Sequence, residues 1–259
     1  MSAQDQIVIQ NLNKVFTTGK GQRQVQALDN VYLRVGTGQF FSVLGPSGCG
    51  KSTMLRIMGG LIEPTNGKVT IGGNEGPHDA QRAKEIGFVF QDPGLLPWKT
   101  VAGNIELPLE VNRKANRATH LSTAELIELV GLGAFKDAYP HQLSGGMQQR
   151  VAIARALAFD PRILLMDEPF GALDEITRAT MRYELLRIWE RSRKTVVFVT
   201  HSIPEAIILS DVVAVMSARP GRVRGVVEIN LPRPRTEEVE RTSQFLEYID
   251  RLKRLLREE

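Results

Sequence analysis

At 259 residues, 42% of them hydrophobic and 24% charged, the chain has enough apolar material to bury a substantial core in one large domain or two, which excludes a disordered or fibrous protein. The formal net charge of +4 is spread along the sequence, and its densest run, RLKRLLRE from Arg251, reads as a solvated helix face rather than a nucleic-acid surface. No apolar run reaches the roughly 20 residues that cross a bilayer, MSAQDQIVIQ lacks the basic flank and apolar stretch of a signal peptide, and a single cysteine, Cys49, rules out an internal disulfide, so the expectation is a chain kept in the cytoplasm.

In chain order, IVIQNLNKVF from Ile7 and VQALDNVYLRV from Val25 read as strands with turns between them, joined later by GKVTIGG from Gly67. Together they predict a small amino-terminal antiparallel sheet of short strands. FFSVL at 40–44, GFVF at 87–90, ILLM at 163–166 and TVVFV at 195–199 are apolar runs of strand length bounded by turn residues, the pattern of buried core strands. Helical patterns lie between them, STMLRIMGGL from Ser52 and EITRATMRYELLRIWERS from Glu175. Strand and helix therefore alternate, as in an α/β fold built on a mostly parallel, doubly wound sheet.

The alternation breaks at QDPGLLPW from Gln91, where two prolines and a glycine punctuate the chain. STAELIELVGL opens with a capping-box pattern, Ser122 to Glu125, and GMQQRVAIARALA from Gly146 has helical spacing, so this region reads as a helical insert. Beyond the strand at 195–199, ARPGRV marks a turn before a short strand, VVEI. In the charged tail Phe245, Ile249, Leu252 and Leu256 share one helical face, which suits packing on the parent domain. The expected organisation is a core of residues 1–92 and 161–230, a helical insert of 93–160 and a tail of 231–259.

Chemistry enters at GPSGCGKS, residues 45–52, which matches a G-x-x-x-x-G-K-[ST] phosphate loop placed between an apolar strand and a helix. Glycines let backbone N–H groups curl around phosphates, the helix start adds partial positive charge, Lys51 supplies a full one, and Ser52 is placed to ligate Mg²⁺. ILLMDEP supplies the acid such a site needs at a neighbouring strand end, Asp167, to hold the Mg²⁺ shell. Glu168 is a second carboxylate and reads as the base that orients and polarises a water for attack on the γ-phosphate; the competing reading is a solvated acid at a strand end. His201 and Gln91 also terminate strand runs, where strand ends face a ligand crevice. His201 is a candidate to contact the γ-phosphate and position the water, and Gln91 to reach Mg²⁺ or water. Cys49 lies inside the loop, and its thiol is expected to be reactive and protected by MgATP.

A second stretch, LSGGMQQR at 143–150, also places a serine and glycines before a helix. Taken in order and spacing, GPSGCGKST, Gln91, LSGGMQQR, ILLMDEP, GALD and His201 resemble the ATP-binding cassette (ABC) transporter ATPases over roughly residues 5 to 230. The resemblance implies a phosphate-loop NTPase core with an antiparallel β subdomain and a helical signature subdomain, working as an ATPase with ATP and Mg²⁺. Residues Gly45, Pro46, Ser47, Gly48, Cys49, Gly50, Lys51, Ser52 and Thr53 would hold the nucleotide; Ser52, Gln91 and Asp167 would face the metal; Glu168, His201 and Gln91 would serve hydrolysis. Phe16 looks like the aromatic that stacks on adenine, with a core strand position as its alternative.

The same resemblance explains the second glycine stretch. Two copies of the chain would pair head to tail with ATP between them, Ser144, Gly145 and Gly146 of one copy capping the nucleotide held by the other, and Asp174 of GALD coupling the two sites. One cassette with no membrane span resembles the separate ATPase subunit of a bacterial importer, peripheral on the cytoplasmic face of the inner membrane and partnered by integral permease subunits and an external solute-binding protein. QDPGLLPW, THSIPEA and SARPGRV are similar to the nitrate, sulfonate and taurine branch. Leu95, Leu96 and Trp98 would form the permease contact if exposed, or the insert's own core if not. The alternatives are a soluble ABC ATPase acting on nucleic acid or ribosomes, a small-molecule kinase, and a nucleotide-dependent binding module without turnover.

Overall fold

The computed structural model describes residues 5–18, 23–72, 76–111, 113–116 and 119–257. In chain order its elements are β1 (Asp5–Thr18), β2 (Arg23–Gly36), β3 (Phe40–Leu44), α1 (Lys51–Met58), β4 (Asn66–Ile71), α2 (Pro77–Arg82) and β5 (Ile86–Val89). There follow α3 (Val101–Glu110), α4 (Thr123–Leu129), α5 (Gly145–Leu157), β6 (Ile163–Asp167) and α6 (Glu175–Ser192). The chain closes with β7 (Thr195–Thr200), α7 (Ile203–Leu209), β8 (Val212–Met216), β9 (Val223–Glu228) and α8 (Ser243–Arg257). It is an α/β protein with an antiparallel β subdomain, and it divides into two compact units, Met1–Gln81 with Thr195–Glu259, and Arg82–Lys194.

In the first unit β1 lies between β2 and β4, antiparallel to both. β1 and β2 are 14 residues each, longer than the short strands expected. Both strands carry irregularities inside them: Asn11 and Asn30 sit at φ +50° and +51°, a conformation asparagine tolerates, and the Asn13 amide bonds Asn11 while its oxygen accepts the Asn30 N–H at 3.0 Å. The ladder shifts register there and resumes.

Beside this sheet β3 pairs in parallel with both β7 and β8, and β9 adds to β8 antiparallel. β3 and β7 are buried at every position, the pattern of strands covered on both faces. Phe40 and Phe198 lie fully buried with ring centroids 5.9 Å apart, each worth about 1.5–3 kcal/mol of apolar burial. β8 is a strand absent from the expectation above, although VVAVM between Asp211 and Ser217 carries the same apolar run. In α8 Phe245 and Leu252 are buried, and Arg224 donates to the last carbonyls of the helix at Leu255 and Leu256. The buried Arg235 likewise donates to Ile207, Ile208 and Ser210 at the end of α7.

In the second unit β5 and β6 pair in parallel, and between residues 93 and 160 the described elements are helical. α4 starts at the complete Ser122–Glu125 capping box, as its sequence foretold, and α6 spans the whole of the run from Glu175. The turn before α3 is organised by the buried Asn104, whose oxygen accepts the Leu96 N–H at 2.8 Å and whose amide donates to Leu96, Lys99 and Thr100 carbonyls.

Candidate functional site

In the first unit, Leu44 at the end of β3 pairs with Thr200 at the end of β7, so the segments beginning at Gly45 and at His201 leave the sheet side by side. The phosphate-loop segment wraps back on itself. Gly48 and Gly50 stand at φ +74° and +101°, where a side chain is strained, and a Cβ on Gly50 would lie 2.6 Å from the Ala27 carbonyl of β2. α1 begins at Lys51, which is buried and donates to the carbonyls of Gly45 and Pro46 at 2.9 and 3.0 Å. Pro46, Ser47 and Gly48 are exposed; Gly45 is buried; Gly50, Ser52 and Thr53 are half-buried. The loop thus offers amides, a hydroxyl and an ammonium at one helix start.

Cys49 differs from its expectation. Its side chain is 1% exposed, and a Cβ on Gly45 would come within 2.9 Å of the thiol sulfur, so the thiol is folded beneath the loop. Reactivity requires access, and labelling at Cys49 is expected to be slow with or without nucleotide.

Phe16 is 38% exposed with the Lys14 ammonium 5.0 Å from its ring centroid, so it is a surface aromatic and not a core residue. It pairs with Val25 on β2, the strand whose Ala27 touches Gly50. His201 is exposed at the end of β7. Around it runs a network that sequence reading missed: the Thr200 hydroxyl bonds the Glu205 carboxylate, accepts the Ser202 N–H at 2.9 Å, and Ser202 caps α7. Glu205 is buried. The sequence shows an acid four residues beyond His201, but its burial belongs to the folded chain.

In the second unit, Val89 of β5 pairs with Met166 of β6, which sets the chain after β5, carrying Gln91, beside Asp167. Asp167 is buried at the end of its strand. Glu168 follows at φ +44°, a costly conformation for a residue with a side chain and one that tends to occur at functional sites. A tight turn follows, the Gly171 N–H bonding the Glu168 carbonyl at 2.9 Å. A Cβ on Gly171 would fall 2.8 Å from the Gln91 amide nitrogen and 3.3 Å from the Glu168 carbonyl. Gln91 and the turn holding Glu168 are therefore packed together.

The signature stretch forms the start of α5. Ser144 caps it, its hydroxyl accepting the Met147 N–H at 3.3 Å, and Ser144 and Gly145 are exposed. Gly146 is buried, and a Cβ there would lie 2.9 Å from Thr177 on α6, so this glycine permits close helix packing. Asp174 caps α6 by accepting the Thr177 N–H at 3.0 Å; hydrogen bonds from Thr177 hold its carboxyl below the ordinary carboxylate range.

In the first unit Ser52 carries a hydroxyl, and in the second Gln91 carries an amide and Asp167 a carboxylate, hard oxygen donors of the kind that suit Mg²⁺. No cluster of three or more histidine, cysteine or acidic side chains able to hold a metal occurs among the described residues; Mg²⁺ keeps several waters and uses one or two carboxylates with substrate phosphates, so it needs no such cluster.

Residues 28–171 match the family model described as ABC transporter. The chain is 50% identical over 254 residues to an uncharacterized ABC transporter ATP-binding protein, MJ0412, of Methanocaldococcus jannaschii, covering 97% of this chain and 91% of the relative. It is 45% identical over 234 residues to the aliphatic sulfonates import ATP-binding protein SsuB of Bacillus cereus, 90% of each. Among solved structures it is similar to the dimeric post-hydrolysis state of the ATP-binding cassette MJ0796 bound to ADP and Pi, with a TM-score of 0.73 and 36% identity over 87% of this chain and 100% of that one.

Proposed function

The chain belongs to the ABC transporter ATPase family, and from that premise we propose that it is the ATP-hydrolysing motor of an importer, dimerising around two ATP and driving uptake of a small anionic solute of the aliphatic sulfonate kind through integral membrane subunits. The observation that carries the nucleotide part is the loop at 45–52, with Gly48 and Gly50 at positive φ over a buried Lys51, a backbone shaped to turn amides toward an anion. The importer part is supported by the sulfonate-import relative and by the absence, among the described residues, of a helix long and apolar enough to cross a membrane. The chain would then act from the cytoplasmic face, with a solute-binding protein completing the system outside.

In this reading the loop amides and Lys51 bind the phosphates, and Phe16 lies against adenine. Ser52, Gln91 and Asp167 would hold Mg²⁺, which would supply neutralisation of phosphate charge. Glu168 accepts the proton of the attacking water, and His201 orients that water at the γ-phosphate. Ser144 and Gly145 offer a hydroxyl and helix-start amides outward, to the nucleotide of a second copy, and Asp174 lies at the same seam.

Trp98, 70% exposed, marks the surface proposed for the membrane partner. Its loop is held from below by Arg155, which donates to the Gly94 carbonyl at 2.8 Å, and by Asn104. Leu95 and Leu96 are half-buried, so Trp98 is the residue to test. Trp98→Asp is expected to leave ATP binding unchanged and to reduce co-purification with an integral membrane protein about tenfold or more. Wild-type chain that hydrolyses ATP but recovers no membrane partner would overturn the importer reading.

A further inference from the structure

A backbone loop that points its N–H groups at an anion turns carbonyls elsewhere, and those carbonyls need partners of their own. In this chain several of them are met individually. Lys51 serves Gly45 and Pro46, and the Met54 N–H serves Gly50 at 2.9 Å. The carbonyl of Gly48 accepts from Nε of Arg219 at 2.8 Å, across 171 positions of sequence. The guanidinium also fills the space beside Gly48, where a Cβ would come within 2.8 Å of it. Lys51 in this reading also serves the phosphates, whereas Arg219 bonds the carbonyl of Gly48.

Arg219 is exposed, so core packing does not fix it. The hairpin between β8 and β9 does. Ser217 Oγ donates to the Pro220 carbonyl at 2.9 Å and accepts the Arg222 N–H at 3.0 Å. Gly221 is pinned to β2 on both sides, its N–H to Ala27 and its carbonyl to Asp29, each at 3.0 Å. Its Cα lies so close to the phosphate loop that a Cβ would be 2.0 Å from the Cys49 carbonyl. Arg222 completes the clamp with an ion pair to Asp29. The SARPGRV stretch is thus a rigid bracket that presses its glycine under the phosphate loop and its arginine onto Gly48.

We propose that Arg219 is a positioning residue for nucleotide binding, holding Gly48 in its left-handed conformation so that the loop amides are aimed before the phosphates arrive. The proposal rests on the reading of residues 45–52 as the ATP site. Pre-organisation of this kind acts on affinity rather than on the chemical step.

The test measures equilibrium binding of a fluorescent ATP analogue with Mg²⁺, steady-state hydrolysis and Tm for wild type, Arg219→Ala, Arg219→Gln and Arg219→Lys, with Lys51→Ala as a control. Arg219→Ala is expected to weaken binding and raise KM for ATP roughly 5- to 10-fold, the effect of one lost hydrogen bond of ordinary net strength, since the charged donor is exposed to water. kcat should stay within about twofold of wild type and Tm within about 2 °C, because the side chain is exposed. Arg219→Lys, which keeps the charge and a donor, should recover most of the affinity, and Arg219→Gln less. Arg219→Ala that binds like wild type overturns the proposal, as does a loss that lysine fails to rescue or that tracks a fall in Tm. Lys51→Ala separates the two levels: if it binds ATP like wild type, the nucleotide-site reading fails, whereas Lys51→Ala abolishing binding beside an unaffected Arg219→Ala sinks only the role of Arg219.

Discussion

The phosphate loop and the signature stretch are both glycine-rich starts of helices, and they use glycine for opposite reasons. In the loop, Gly48 and Gly50 stand at positive φ, and the freedom of glycine is spent on backbone shape. In the signature, Gly145 and Gly146 are ordinary helical residues of α5, and what matters is the missing side chain: a Cβ would meet Leu173 at 3.3 Å or Thr177 at 2.9 Å. The loop closes on itself around a buried cation. The signature instead leaves Ser144 and Gly145 facing outward. The first shapes a backbone around a cation, and the second presents a hydroxyl and helix-start amides at the surface of its own unit.

That contrast is sharpened first at the chemistry. Glu168→Gln keeps the shape of the turn and removes the proton-accepting charge, so hydrolysis is expected to fall by about 10²–10⁴-fold with ATP binding retained. Steady-state turnover beside equilibrium binding checks it, and turnover within a few fold of wild type would remove Glu168 from the base role.

The glycines come next. Gly50→Ala forces a Cβ at φ +101° to within 2.6 Å of a backbone carbonyl, and is expected to weaken ATP binding more than about tenfold and to lower Tm by roughly 5 °C or more. Gly145→Ala meets only the flexible end of Leu173, and should leave ATP binding by the dilute chain unchanged and Tm within about 2 °C. Equal losses in the two variants, by calorimetry and nucleotide titration, would erase the distinction between shape and clearance.

The smallest effect separates capping from charge at Asp174. Its carboxyl is held below the ordinary range in the folded chain, so its contribution is present above the unfolded carboxylate pKa of about 3.9 and is lost as pH falls through the folded value. Asp174→Asn still caps α6 but cannot titrate. The variant should match wild type in acid and fall behind it by only about 1 °C in Tm at neutral pH; an advantage for aspartate that persists at low pH would contradict the assignment.

Local pattern made the motifs and most elements legible, because apolar runs, the Ser122 capping box and the phosphate loop are each written within a few consecutive residues. Three features were not legible for physical reasons. The length of β1 and β2 depends on Asn11 and Asn30 accepting left-handed conformations inside a strand, where asparagine normally signals a turn. The burial of Cys49 depends on the loop folding so that its thiol lies against Gly45, and burial is a tertiary property. Arg219 and Glu205 act on the loop and on the strand end before His201 through contacts that sequence proximity cannot rank, one of them 171 positions long. β8 is written in the sequence as plainly as β7, since the two apolar runs differ little.

The central claim is that the signature acts on the nucleotide of a second copy rather than on its own. Ser144→Arg in the Glu168→Gln background tests it most directly, with ATP affinity of the dilute monomer measured beside dimer formation by sedimentation. Ser144 is exposed and Lys51 and the loop amides are untouched, so the account predicts a monomer that binds ATP as before and no ATP-driven dimer. A monomer whose affinity falls more than about tenfold, the loss of one charge-assisted hydrogen bond, or a dimer that forms unchanged, would contradict it.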